Sequence, residues 1–184
     1  AGGPVVLECC TGDGLTVTAE AALNPTTGEQ RTIVMLVNFQ NDTRQWWTPS
    51  QVASQIFGPV NDFYLESSFG ATWLSGVVEG WLTLPIDGTC SPEAIDAAGR
   101  AAAQAAGVSL SGFDRIVWLF PEQGCGYAGS ATVVGAPAVV WLDGTLDLHT
   151  VVHEFGNWRS NRAARPVGSL RQFRPAVGLV PAAA

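Results

Sequence analysis

Nearly unbroken apolar runs alternate along this chain with stretches in which apolar positions recur every three or four residues. Thr32 to Phe39 (TIVMLVNF) is such a run, the mark of a strand buried on both faces. Arg115 to Phe120 (RIVWLF) and Ala138 to Leu142 (AVVWL) repeat it. Thr72–Val78 and Gly80–Leu84 read as two shorter strands rich in Trp and Val. Val52, Ile56, Val60, Phe63 and Tyr64 fall on one helical face that runs to about Glu66. Thr48-Pro49-Ser50-Gln51 opens that helix with a capping box and a proline at the first helical position, and Ser67-Ser68-Phe69-Gly70 stops it. Ser91-Pro92-Glu93 opens a second helix, with a small-residue face of Ile95, Ala98, Ala102 and Ala105. Gly124 to Gly135 reads as a loose loop. Strands alternating with two amphipathic helices predict an α/β (α+β) sandwich with a mixed, twisted sheet.

The ends read differently. Residues 1–30 hold two short alternating runs, Val5–Glu8 and Leu15–Thr18, around Gly12-Asp13-Gly14, which suggests a hairpin. They form an N-terminal appendage of the kind that ends a pro-segment, and 31–158 is the main domain. The tail, 159–184, is irregular and rich in Arg and Pro. All 16 acids lie at or before Glu154, whereas Arg159, Arg162, Arg165, Arg171 and Arg174 follow it. That break predicts a poorly packed, protease-sensitive tail and also fits a truncated or frame-shifted reading.

A length of 184 residues suits one domain with a full core, and 47% hydrophobic against 14% charged residues is a globular composition. The net charge of −7 argues against nucleic acid as a partner. No apolar run reaches the roughly 18 residues a membrane span needs, and no signal peptide opens the chain, so any such segment is expected to have been removed or not included. Asn41-Asp42-Thr43 in a polar loop is a glycosylation acceptor pattern if the host glycosylates, but an ordinary surface turn is the stronger reading.

Four cysteines are present. Cys90 and Cys125 lie in Gly/Pro-containing loops, and a bridge between them would contribute roughly 3–4 kcal/mol in the chain-entropy model. Cys9 and Cys10 are adjacent and do not readily pair with each other. An even cysteine count without lysine and with few charges points to an exported, oxidised protein.

The candidate chemistry sits in Leu148-His149-Thr150-Val151-Val152-His153-Glu154-Phe155-Gly156. Leu148, Val151, Val152 and Phe155 form a helical stripe, which places His153 and Glu154 side by side on an apolar element. A carboxylate in such a setting wants a cation or a hydrogen-bond network. In the zinc-peptidase pattern His-Glu-x-x-His, two histidines one turn apart hold zinc and the glutamate activates the bound water. Only the first half of that pattern is here, because position 157 is Asn.

Several stretches taken in order resemble the gametolysin-type (autolysin) zinc metallopeptidases, over about residues 30 to 156. They are TIVMLVNFQ, Asn61-Asp62-Phe63-Tyr64-Leu65-Glu66-Ser67-Ser68-Phe69-Gly70, Thr72-Trp73-Leu74-Ser75-Gly76, Gly80-Trp81-Leu82-Thr83-Leu84-Pro85, and His153-Glu154-Phe155-Gly156. Cys90 and Cys125, paired, belong to the same similarity. The resemblance implies a secreted, metzincin-like endopeptidase with a zincin-like fold, acting on extracellular or cell-wall glycoproteins. It makes His153 a zinc ligand and Glu154 the catalytic general base. The family pattern, His-Glu-x-x-His-x-x-Gly-x-x-His, needs two more histidines. Ungapped, Asn157 occupies the second ligand position, and neither Ser160 nor Ala163 completes the set. With one residue missing after Gly156, Arg159 stands at the glycine and Arg162 at the third histidine. Either way one ligand of three remains, so the hydrolase is expected to bind zinc weakly and to be impaired.

Three other readings stand beside it. His149, one turn before His153, offers a shifted zinc site or is simply solvated. Cys9 or Cys10 offers a pro-segment thiolate for zinc. A catalytically inactive homologue would bind protein or glycoprotein along an edge strand. Trp73, Trp81, Trp118 and Trp141 are expected in the core, and Trp46 with Trp47 as a surface pair.

Overall fold

The computed structural model describes residues 26–132 and 135–156. The expected hairpin, Cys9 and Cys10, and the tail from Asn157 onward lie outside these residues. Five strands form one sheet in the order β2-β1-β3-β5-β4. They are β1 (Gly28–Phe39), β2 (Thr72–Leu84), β3 (Arg115–Phe120), β4 (Gly129–Ala131) and β5 (Ala138–Asp143). β2, β1, β3 and β5 run parallel, and β4 is antiparallel to β5 at one edge. The mixed α/β architecture is therefore as the patterning predicts.

Three helical units cover the sheet. The first joins α1 (Pro49–Gln55), a π-helical segment (Ile56–Val60) and α2 (Asn61–Ser67). The second is α3 (Pro92–Ala105) and the third α4 (Leu148–Gly156). Thr48 caps α1 as expected: its side chain accepts from the Gln51 amide, and the Gln51 side chain reaches back to the Thr48 amide. Gly58 has non-helical torsions and is followed by Pro59, which has no amide hydrogen, so the regular hydrogen-bond ladder gives way there to wider turns.

Period-two alternation divides the central strands between two cores. Val34, Leu36, Val117, Leu119, Val140 and Leu142 face the first helical unit and α4, meeting Val52, Ile56, Val60, Val151 and Phe155. Ile33, Met35, Val37, Ile116, Trp118 and Trp141 face α3 on the opposite side. Each such side chain, fully buried, stabilises the fold by about 1.5–3 kcal/mol. The helix α3 comes in close because Gly99 lies against Trp118: a Cβ there would be 2.6 Å from the indole ring. The indole nitrogen donates to Asp96 at 2.9 Å.

Some expectations need correction. Thr72–Leu84 is one strand and not two, with a bulge opposite Met35–Val37 near the expected junction. β1 starts at Gly28, inside the stretch assigned to the appendage. The supposed loose loop contains β4, whose Gly-Ser-Ala has no strand propensity of its own. Phe63, Trp73 and Leu148 are exposed, because each falls off the face its element buries. The core face of α3 is Ile95, Gly99 and Ala103, and Ala105 is exposed. Trp118 and Trp141 are buried as expected, Trp81 is half-buried, and the exposed Trp46 meets edge to face a Trp47 that is half-buried against the first core, so only Trp46 is a surface residue. Cys90 and Cys125 are bridged, with Cα atoms 5.2 Å apart, inside the range a disulfide needs.

Candidate functional site

The parallel strands end together, and the loops beyond them shape the approach to α4. Asp143, at the end of β5, is buried and takes two backbone amides from the loop after β3: Gln123 at 2.6 Å and Cys125 at 3.0 Å. Its carboxylate thereby holds the loop that leads into β4, and the disulfide ties the same loop to the one before α3. A cavity of about 400 Å³ opens there, lined by Glu122, Cys125, Tyr127, Asp143 and Thr145 among others. Burial first, then the negative charges of Asp143 and Glu93, raises the pKa of the Tyr127 phenol.

Asp147 starts α4. Its Oδ1 accepts the Thr150 amide at 2.9 Å and its Oδ2 accepts the Thr145 hydroxyl at 2.7 Å. These bonds, the Thr145 one foremost, lower its pKa to about 2. An acid three positions ahead of Thr150 and just before an apolar stripe is a helix-start signal, so this cap was readable in the sequence and was missed.

Three anchors seat α4 on the domain. Val151 and Phe155 are buried. The Tyr64 hydroxyl donates to the Val152 carbonyl at 2.7 Å. The buried Arg115 lies over the Phe155 ring at 4.5 Å and donates to the Phe155 carbonyl at 3.4 Å.

The helix thus presents the two candidate residues very differently. Glu154 is buried, 7% exposed, with its side chain against the backbone of β4. A Cβ on Gly129 would lie 2.5 Å from Glu154 Cγ and 3.2 Å from Thr150 Cγ2. His153 and His149 are both exposed, one helical turn apart. Imidazole is an apt zinc donor and the pair shares one face, but zinc sites of the peptidase kind use three protein ligands. Among the described residues no three His, Cys, Asp or Glu side chains converge into such a set. Positions 157, 159, 160, 162 and 163, where the family pattern would continue, lie outside the described residues.

No family model matches the chain, and no curated protein does so. Among the described residues, no helix is long and apolar enough to cross a membrane.

Proposed function

We propose that the chain is a gametolysin-type, metzincin-like zinc peptidase domain with a zincin-like fold, exported and built to hydrolyse extracellular or cell-wall proteins. As written, its hydrolytic centre is incomplete. The observation that carries this reading is the setting of His153-Glu154: an exposed imidazole and a buried carboxylate, adjacent on a helix that packs on an edge strand. That burial holds the carboxylate in one place beside the exposed imidazole, as a general base in a peptidase has to be held. The Cys90–Cys125 bridge supports the exported setting.

In this reading Glu154 is the general base and His153 the one retained zinc ligand. Ungapped, Asn157 stands at the second histidine; with one residue missing after Gly156, Arg162 stands at the third, where a guanidinium repels a divalent cation. Zinc, when bound by a full set, polarises the scissile carbonyl and acidifies a water. The test is zinc content by elemental analysis together with chelator-sensitive proteolysis. The chain as written is expected to hold little zinc and cleave weakly or not at all. Insertion of a histidine after Gly156, with Arg159→Gly and Arg162→His, is expected to restore both. Failure of that restored chain to bind zinc would count against the reading.

A second reading has its own support. Among the described residues β4 is an edge strand, the kind of element on which an extended peptide adds a further strand. An inactive homologue would bind protein or glycoprotein there without metal. Zinc-independent peptide binding with no cleavage, in the restored chain as well as the original, would favour it.

A further inference from the structure

We propose that Asn41 is an N-glycosylation site, accepting an oligosaccharide from a lipid-pyrophosphate donor. Asn41-Asp42-Thr43 is the sole Asn-x-Ser/Thr in the chain with a permissible middle residue, because Asn24-Pro25-Thr26 carries proline there. The fold puts this triplet where a glycan fits. β1 ends at Phe39, and Phe39 and Asp42 exchange backbone hydrogen bonds, both 3.0 Å. Asn41 thus sits at the tip of a tight turn, and both Asn41 and Thr43 are exposed.

The two ends of the Asn41 amide are used differently. Its Oδ1 accepts the Gly88 amide at 2.8 Å. Among the described residues nothing accepts from its Nδ2. Among the described residues, then, the atom that would carry the sugar makes no hydrogen bond, while the oxygen that a glycosylated asparagine keeps is the one the fold employs. Asp42 is turned away from the acceptor: it pairs with Arg44 at 2.6 Å and accepts from Gln123 at 2.9 Å. This pairing holds the Asp42 carboxyl well below its usual range, the Arg44 hydrogen bond being the main cause.

Compartment gives an independent reason. The Cys90–Cys125 bridge forms in an oxidising route, which is also where oligosaccharide is transferred. Gly88 and Gln123, the neighbours of the turn, belong to the two loops this bridge ties together. A glycan on Asn41 would stand over those loops.

In the transfer, Nδ2 attacks the anomeric carbon of the lipid-linked oligosaccharide. A C–N bond forms as the sugar–phosphate C–O bond breaks, the amide loses one proton, and the lipid pyrophosphate leaves with the bonding electron pair. No oxidant or reductant is needed. The test translates the full chain behind a cleavable secretion signal in the presence of microsomes, scoring only protease-protected material. One peptide-N-glycosidase-sensitive shift is expected, lost in Asn41→Gln and in Thr43→Ala and kept in Thr43→Ser. Protected chain that migrates unshifted, or a shift that survives Asn41→Gln, would overturn the proposal.

Discussion

Glu154 on α4 rests directly on the backbone of Gly129 in β4, so closely that a Cβ at position 129 would lie 2.5 Å from Glu154 Cγ. That distance lies inside van der Waals contact, and Thr150 Cγ2 would lie 3.2 Å from the same Cβ. Gly129→Val is expected to cost about 1–3 kcal/mol, the usual penalty for overpacking a tight site. Gly129→Ala should cost less. Urea denaturation followed by intrinsic tryptophan fluorescence measures both. Unchanged midpoints for both variants would mean that Glu154 swings away freely.

Glu154→Gln at the same contact tests what the carboxylate is for. If Glu154 is the general base, Glu154→Gln in the histidine-restored chain should retain zinc and lose nearly all cleavage, since general base removal costs on the order of 10²–10⁴-fold. Zinc content by elemental analysis and turnover of a fluorogenic peptide check this together. Retained turnover would remove Glu154 from the mechanism.

The Cys90–Cys125 bridge is expected to contribute roughly 3–4 kcal/mol. Cys90→Ser, Cys125→Ser and the double variant should therefore show similar losses, because any one of them opens the same loop. Addition of reductant should bring the parent down to their level and leave them unmoved. Denaturant midpoints with and without reductant decide this.

Asp147 makes a prediction in acid. Its pKa is lowered from 3.8 to about 2 in the folded chain, so folding favours the ionised form. The resulting stability is present above about pH 4 and declines as the pH falls toward 2. Asp147→Ala should cost about 0.5–2 kcal/mol at neutral pH through the lost cap, and less as the pH approaches 2. Thermal unfolding of both forms between pH 2 and pH 7 measures the convergence. A constant difference across that range would assign the effect to something other than the carboxylate.

Phe69 adopts φ = 54° at the end of α2, and its side chain is 99% exposed. A left-handed conformation costs an L-residue roughly 1–2 kcal/mol, and this side chain recovers little of that by burial. Phe69→Gly is therefore expected to stabilise the domain or leave it unchanged, by chemical denaturation. A clear loss would show that the phenyl ring is covered by something in the intact protein.

Period-two burial in the central strands, the helix caps at Thr48 and Ser91, and the His153-Glu154 helix all follow from short-range chemistry. Each was legible in the sequence because neighbours along the chain decide it. Two buried faces demand a continuous apolar strand, and a free amide at a helix start demands an oxygen nearby. Only the tertiary structure decided the rest. Gly-Ser-Ala becomes β4 because β5 offers it an unpaired edge, not through any preference of its own. Glu154 is buried and His153 exposed because α4 turns one flank toward that edge, a rotation set by the anchoring of Phe155, Tyr64 and Arg115. Phe63, Trp73 and Leu148 have the polarity of core residues yet stay exposed, because apolar character makes burial favourable but a packed neighbour has to be there to provide it.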